Sequence, residues 1–145
     1  LASYRREEDK SILLDALSHY DNENEDVDRE DDETNNALLA VTVWTCQDFI
    51  PLLMRIRDYE IKKHDSSMPP RSKYLFEAVM AYDNQWAYNF IDATLALSSK
   101  KKGREYDSYI TMATSFHSAM LSHYNPRFVR LLGKYPGEDF GDGYE

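Results

Sequence analysis

Apolar positions recur along the chain at three- and four-residue intervals, in segments separated by short polar or proline-bearing stretches, and that rhythm predicts helices. Residues 3–20 open with the charged block Arg5 to Lys10 and continue with Ile12, Leu13, Ala16, Leu17 and Tyr20, one face of an amphipathic helix. A second run extends from Ala37 to His64, with Asp32 or Thr34 offered as its N-cap. Within it VTVWT, Val41 to Thr45, is β-branched and aromatic, and alone reads as a strand. A strand needs a partner, and no other segment alternates with period two, so a helix is the consistent reading. Pro51, with Asp48 just ahead of it, predicts a break or kink near residues 47–50.

HDSSMPPR, residues 64–71, is a turn by its serines and paired prolines. Beyond it Leu75, Val79, Tyr82, Trp86, Phe90, Ala93 and Leu97 form one stripe, and Phe76, Met80, Ala87, Ile91 and Leu95 a second beside it. A helix apolar over so wide an arc is surrounded by others, which predicts a central helix over 72–98. Then come the loop SSKKKGR and a helix carrying Tyr106, Ile110, Ala113, His117, Met120 and Tyr124, ended by Asn125-Pro126. A short helix from Pro126 to Leu132 is closed by Gly133.

The predicted fold is all-α: a single bundle of four main helices plus a short C-terminal helix, built around 72–98. A fragment of a helical-repeat array would show the same pattern of paired helices. Residues 1–135 read as one helical domain, and 136–145, with three glycines and four acids, as a flexible acidic tail. At 145 residues, 42% apolar and 30% charged, the chain has the size and composition to bury one core.

Charge changes this picture at one place. The formal net charge is −9, and residues 21–33 contribute −8 of it, nine acids less Arg29. Segment 21–34 is expected to be a disordered acidic loop, because its lone Val27 offers too little apolar surface to offset the entropy of ordering. The rest of the chain is close to neutral. General binding to nucleic acid or an anionic membrane is disfavoured, since both need a cationic face and the one basic cluster is Lys100, Lys101, Lys102 and Arg104. Those four residues could instead lie against the acidic loop, or read as a nuclear-import signal.

No apolar run reaches the length of about 18 residues that a membrane span needs. Cys46 is the only cysteine and no Asn-x-Ser/Thr site occurs, which favours an intracellular location, cytoplasmic or nuclear. Residue 1 is leucine, so a processed product or a piece of a longer chain is expected.

Candidate chemistry is sparse. A calcium loop framed on Asp21 puts Asp26 where glycine is needed and Asp28 at the apolar position, and a frame on Asp26 ends on Ala37 instead of glutamate. His117 and His123 are six residues apart, about 120° round a helix, and share no face for zinc. His117, inside an apolar stripe, reads as a core histidine with a hydrogen bond. Cys46 lies in an apolar run where its thiol would be buried and inert. Four of the five glycines lie in the last thirteen residues, so no phosphate-binding loop is present, and neither a Gly-x-Ser-x-Gly nor a Glu-x-x-His motif occurs. No metal, no cofactor and no catalytic residue is expected.

The one compositional excess is aromatic, with eleven tyrosines and two tryptophans. Tyr82, Trp86 and Tyr109 fall on core stripes. Tyr59, Tyr74 and Tyr88 fall off them or near their edges and, with Lys100, Lys101, Lys102 and Arg104, are the candidate partner-binding residues. The expected function is a non-catalytic protein-interaction or scaffolding domain with a protein partner. Two alternatives share the fold: a bundle-type regulator that captures a helix in a groove, and a subunit or regulatory domain of a larger enzyme.

Overall fold

The computed structural model describes residues 7–21, 33–63, 71–99 and 106–136. The basic cluster at 100–104, Asp32 and almost all of the acidic segment lie outside them. Seven α-helices form among the described residues: α1 (Glu7–Ser18), α2 (Glu33–Val41), α3 (Ile50–Lys63), α4 (Arg71–Met80), α5 (Gln85–Ser99), α6 (Tyr106–Ser122) and α7 (Val129–Lys134). Short 3₁₀ turns, Gln47–Phe49 and Pro126–Phe128, lead into α3 and α7. No strand occurs among these residues, so the all-α reading holds, as a bundle with more and shorter helices than four plus one.

α4 occupies the centre. It packs most extensively on α6 and also on α2, α3 and α5, while α1 closes over α2 and α3. Every residue from Leu75 to Met80 is buried, including Glu77, because the helix has neighbours on all sides. Such an element needs compensation for its polar groups. Lys73 Nζ donates to Glu77 Oε2 at 2.6 Å, His123 Nδ1 lies 3.6 Å from the same oxygen, and Ser72 and Ser115 share a 2.6 Å hydroxyl hydrogen bond between α4 and α6.

The single helix expected over 72–98 is two helices. α4 stops at Met80, and residues 81–84 turn the chain through Asp83, whose φ of 49° is the left-handed conformation that Asp tolerates better than most residues. Asn84 then starts α5, its Oδ1 accepting from the Ala87 N–H at 2.9 Å. The apolar periodicity runs through this turn because Tyr82 within it packs on Trp86 in the first turn of α5: their rings meet edge to face at 5.2 Å, and the Tyr82 hydroxyl donates to the Cys46 carbonyl. Pattern alone could not show the break. The turn resets the helical phase, so α5 buries Ala87, Phe90, Ile91, Thr94, Leu95 and Ser98, while Ala93 and Leu97 of the expected stripe are exposed. Replacing Asn84 by Ala should cost about 1 kcal/mol in urea unfolding by loss of the cap.

Three further boundaries differ from expectation for local reasons. The break in 37–64 comes earlier than 47–50: α2 ends at Val41, the Thr42 hydroxyl bonds the Leu39 carbonyl, and residues 44–46 are non-helical. Pro51 sits at the second position of α3, where its missing N–H costs nothing. Thr34 is not a cap but lies inside α2, buried, its hydroxyl donating to the Ala16 carbonyl at 3.1 Å. Gly133 does not close the last helix, which continues to Lys134 and docks Tyr135 into the core. The Tyr135 hydroxyl donates to Asp92 Oδ1 at 2.6 Å, and its carbonyl contacts His117 Nε2 at 3.0 Å, the hydrogen bond expected of that histidine.

Candidate functional site

Among the described residues, two of the surface clefts lie where helix ends meet. The larger, about 600 Å³, lies between the end of α1, α3 and the C-terminal half of α5. Its apolar lining is Tyr20, Tyr59, Ile61 and Leu97, and Leu97 is 44% exposed, high for a leucine beside a core. Tyr20 and Tyr59 meet edge to face at 5.5 Å, so one wall is a fixed aromatic pair. Arg55 and Lys62 line the same cleft from α3, with Asp58 and Asp21. Asp58 is held by Arg57 at 3.0 Å, whereas Arg55 and Lys62 make no ion pair among the described residues.

The α3 register explains this composition. Leu53 and Ile56 point into the core at 0% exposure, and Tyr59 follows them at helical spacing but meets Tyr20 instead of the bundle interior. Arg55 and Lys62, seven residues apart, fall two turns apart on one side of that helix. The second cleft, about 520 Å³ and more polar, joins the start of α5 to the 3₁₀ turn and α7, and is lined by Gln85, Tyr88, Pro126, Arg127 and Arg130.

These positions sort the residues expected from sequence. Tyr59 lines the first cleft and Tyr88 the second, so the fold separates them. Tyr88 is half-buried with its ring stacked on Phe128 at 6.4 Å. Tyr74 is half-buried against the core under Lys73 Nζ, 5.7 Å from its ring centre, and lines neither cleft. Lys100, Lys101, Lys102 and Arg104 fall outside the described residues, although Leu97, three residues before them, is in the first cleft. Cys46 is half-buried rather than buried, because the chain around it has left the helix; the carboxyl of nearby Asp48 is held below its usual range, chiefly by its hydrogen bond to Lys10. The arginines of the second cleft went unnoticed in the sequence; their three-residue spacing after Asn-Pro was the available signal.

One group of potential metal ligands occurs among the described residues, Asp15, His19 and Glu33, with ligand atoms all within 4.8 Å and all three residues exposed. A search for paired histidines misses it, since Glu33 arrives from another helix. His19 Nδ1 lies 3.2 Å from Glu33 Oε1 and Nε2 3.8 Å from Asp15 Oδ1. The Glu33 hydrogen bond, helped by the charges of Glu33, Asp15 and Asp21, raises the His19 pKa above its ordinary 6.5. A raised folded value makes the stabilisation complete below that ordinary pKa and lost as pH rises through the folded one. The thermal midpoint should therefore decline less between pH 6 and 8 in His19→Gln than in the parent, a small difference for so exposed a group, read by calorimetry.

Comparison with known protein families, curated sequences and solved structures finds no match for the chain. No helix among the described residues is long and apolar enough to cross a membrane. Among the described residues the molecule is an all-helical bundle whose surface includes an amphipathic cleft and a cationic cleft.

Proposed function

We propose that the chain is a non-catalytic protein-interaction domain that takes an amphipathic segment of a protein partner into the cleft between α1, α3 and α5. The observation that carries this reading is the cleft floor: a tyrosine pair, Ile61 and an exposed Leu97, with the cations Arg55 and Lys62 on the same wall. Tyrosine and arginine are enriched where proteins bind one another, and an aromatic wall gives contact area at low entropic cost. The groove-binding alternative draws on the same feature, because a helix docks by laying its apolar face into such a channel. An intracellular setting belongs to the proposal, resting on a single cysteine that has no intrachain partner.

The test places a photo-crosslinking amino acid at Leu97 and, as a control, at Leu121 on α6, which is 89% exposed and lines neither cleft. Crosslinked species from cells are then compared after Tyr59→Ala and Arg55→Glu in the same chain, with circular dichroism confirming the fold. Adducts specific to position 97 that vanish with either substitution support the reading. Adducts of equal yield from both positions, or adducts that survive both substitutions, refute it. Deleting residues 22–33 should leave the position 97 adducts in place; their loss would move the function into the acidic segment.

A further inference from the structure

The second cleft is chemically unlike the first and carries an inference that does not depend on it. Its two arginines differ in how the fold uses them. Arg127 is held at its backbone and at one side-chain nitrogen: its main-chain N–H donates to Asn125 Oδ1 at 2.9 Å, and its Nε donates to Asp83 Oδ1 at 3.0 Å. Asp83 is itself fixed by Asn125 Nδ2 at 3.0 Å, and these two bonds hold its carboxyl below the usual range. That anchor consumes Nε and leaves the two terminal amino groups of Arg127 without a bond to any described residue.

Arg130, one turn further on, makes no hydrogen bond or ion pair among the described residues. Lys134, another turn along α7, contrasts with it, since that ammonium is spent on Asp92 at 3.1 Å. The cleft wall is flat and rigid, because the Tyr88 ring lies nearly parallel to the fully buried Phe128, 16° apart, and Pro126 adjoins it. Packing accounts for Phe128 and for the Asp83 anchor. It does not account for a second arginine lining the same 520 Å³ cleft, in a chain whose net charge is −9.

We propose that this cleft binds a phosphate monoester, gripped by the terminal amino groups of Arg127 and by Arg130, with the Tyr88 ring as the wall beside the esterified group. Two guanidinium forks approach from different directions, and the three terminal oxygens of a tetrahedral phosphoryl group can accept from both, whereas a planar carboxylate presents one pair of oxygens to one fork. Charge agrees: the two arginines less Asp83 leave a positive site for a group that carries about −1.5 to −2 at pH 7. Preorganisation comes from the Asp83 anchor, so that only Arg130 has to be ordered on binding.

The test is a ¹H–¹⁵N NMR titration of the full chain at pH 7.5 and constant ionic strength with three probes: inorganic phosphate, an N-acetyl phosphoserine amide and an N-acetyl phosphotyrosine amide. Sodium chloride serves as the control. The expected result is a saturable shift of the Gln85, Tyr88, Arg127 and Arg130 signals with a dissociation constant of about 1 mM or below. Arg130→Gln should weaken binding about tenfold, the size expected for losing a charge-assisted contact, with an unchanged thermal midpoint. An ester that binds more tightly than inorganic phosphate identifies a phosphorylated side chain as the source of the ligand, whereas equal affinity overturns the assignment to an ester. Shifts that grow linearly without saturation, that chloride reproduces, or that persist undiminished in Arg130→Gln overturn the proposal.

Discussion

Arg71→Leu should lower unfolding stability by about 3–5 kcal/mol, the cost of removing one member of a buried ion pair. Arg71 is the first residue of α4 and only 1% exposed, a rare position for arginine. Its Nη1 donates to the Tyr20 carbonyl at 2.6 Å and lies 3.6 Å from Glu60 Oε2, while Nε donates to Asn35 Oδ1 at 3.1 Å. One guanidinium therefore ties the end of α1, α2 and α3 to the start of α4. Leucine fills much of the volume but removes the cation from a Glu60 that is itself 5% exposed and strips the cap from the Tyr20 carbonyl. Against a typical domain stability of about 5–15 kcal/mol, a loss of this size leaves little margin. Urea denaturation followed by circular dichroism reads it directly.

The double variant Arg71→Leu, Glu60→Leu separates charge from packing, since apolar replacement of both members of a buried pair is often neutral. It should recover part of the loss, limited by the Tyr20 carbonyl and Asn35 that remain without their donor. Arg71→Lys should fall between the parent and Leu, because an ammonium keeps the charge but not the planar fork that serves Tyr20 and Asn35 together. A single variant within 1 kcal/mol of the parent would show that the guanidinium is not the tie described here.

Phe116→Ala should cost about 3–5 kcal/mol through lost burial and the cavity left behind. Phe116 is fully buried on α6 and meets Phe76 of α4 edge to face, with ring centres 5.8 Å apart, in the most extensive helix pairing of the bundle. Phe116→Leu, closer in volume, should cost less than about 1.5 kcal/mol. Equal effects of the two substitutions would argue that the site collapses around the smaller side chain instead of keeping a cavity.

These two residues also measure what a sequence reader can see. Phe116 was one position away from legibility: the stripe through Ala113, His117 and Met120 lies on the correct helix and Ala113 and Met120 are buried, but they form one edge of a buried face centred on Met112, Phe116 and Ala119, which leaves His117 half-buried and Tyr124 exposed. A one-residue offset in a helix is a rotation of about 100°, and a stripe bordered by further apolar residues does not fix that angle. Arg71 was not legible at all. It follows a serine- and proline-rich stretch of sequence beside which an arginine is ordinarily solvated, and the partners named above come from the turn after α1, from α2 and from α3.

The candidate sites divide in the same way. Composition pointed to tyrosine as a contact residue, but Tyr59 and Tyr88 belong to different clefts. The residues that give those clefts their character, Leu97 with Arg55 and Lys62 in one and Arg127 with Arg130 in the other, were unremarked or assigned to a buried stripe.

The sequence by itself determined that the described residues are helical, that a turn follows residue 122, and that the net charge concentrates in one segment, because periodicity, proline and charge act within a few residues of themselves. Only the tertiary structure decided that 72–98 divides at Asp83 and Asn84, that Thr34 is a tie and not a cap, and that Leu97 faces outward. Each of those outcomes depends on a partner distant in the chain, Cys46 for Tyr82, Asn125 and Arg127 for Asp83, Ala16 for Thr34, Tyr20 for Tyr59, and local pattern carries no record of such partners.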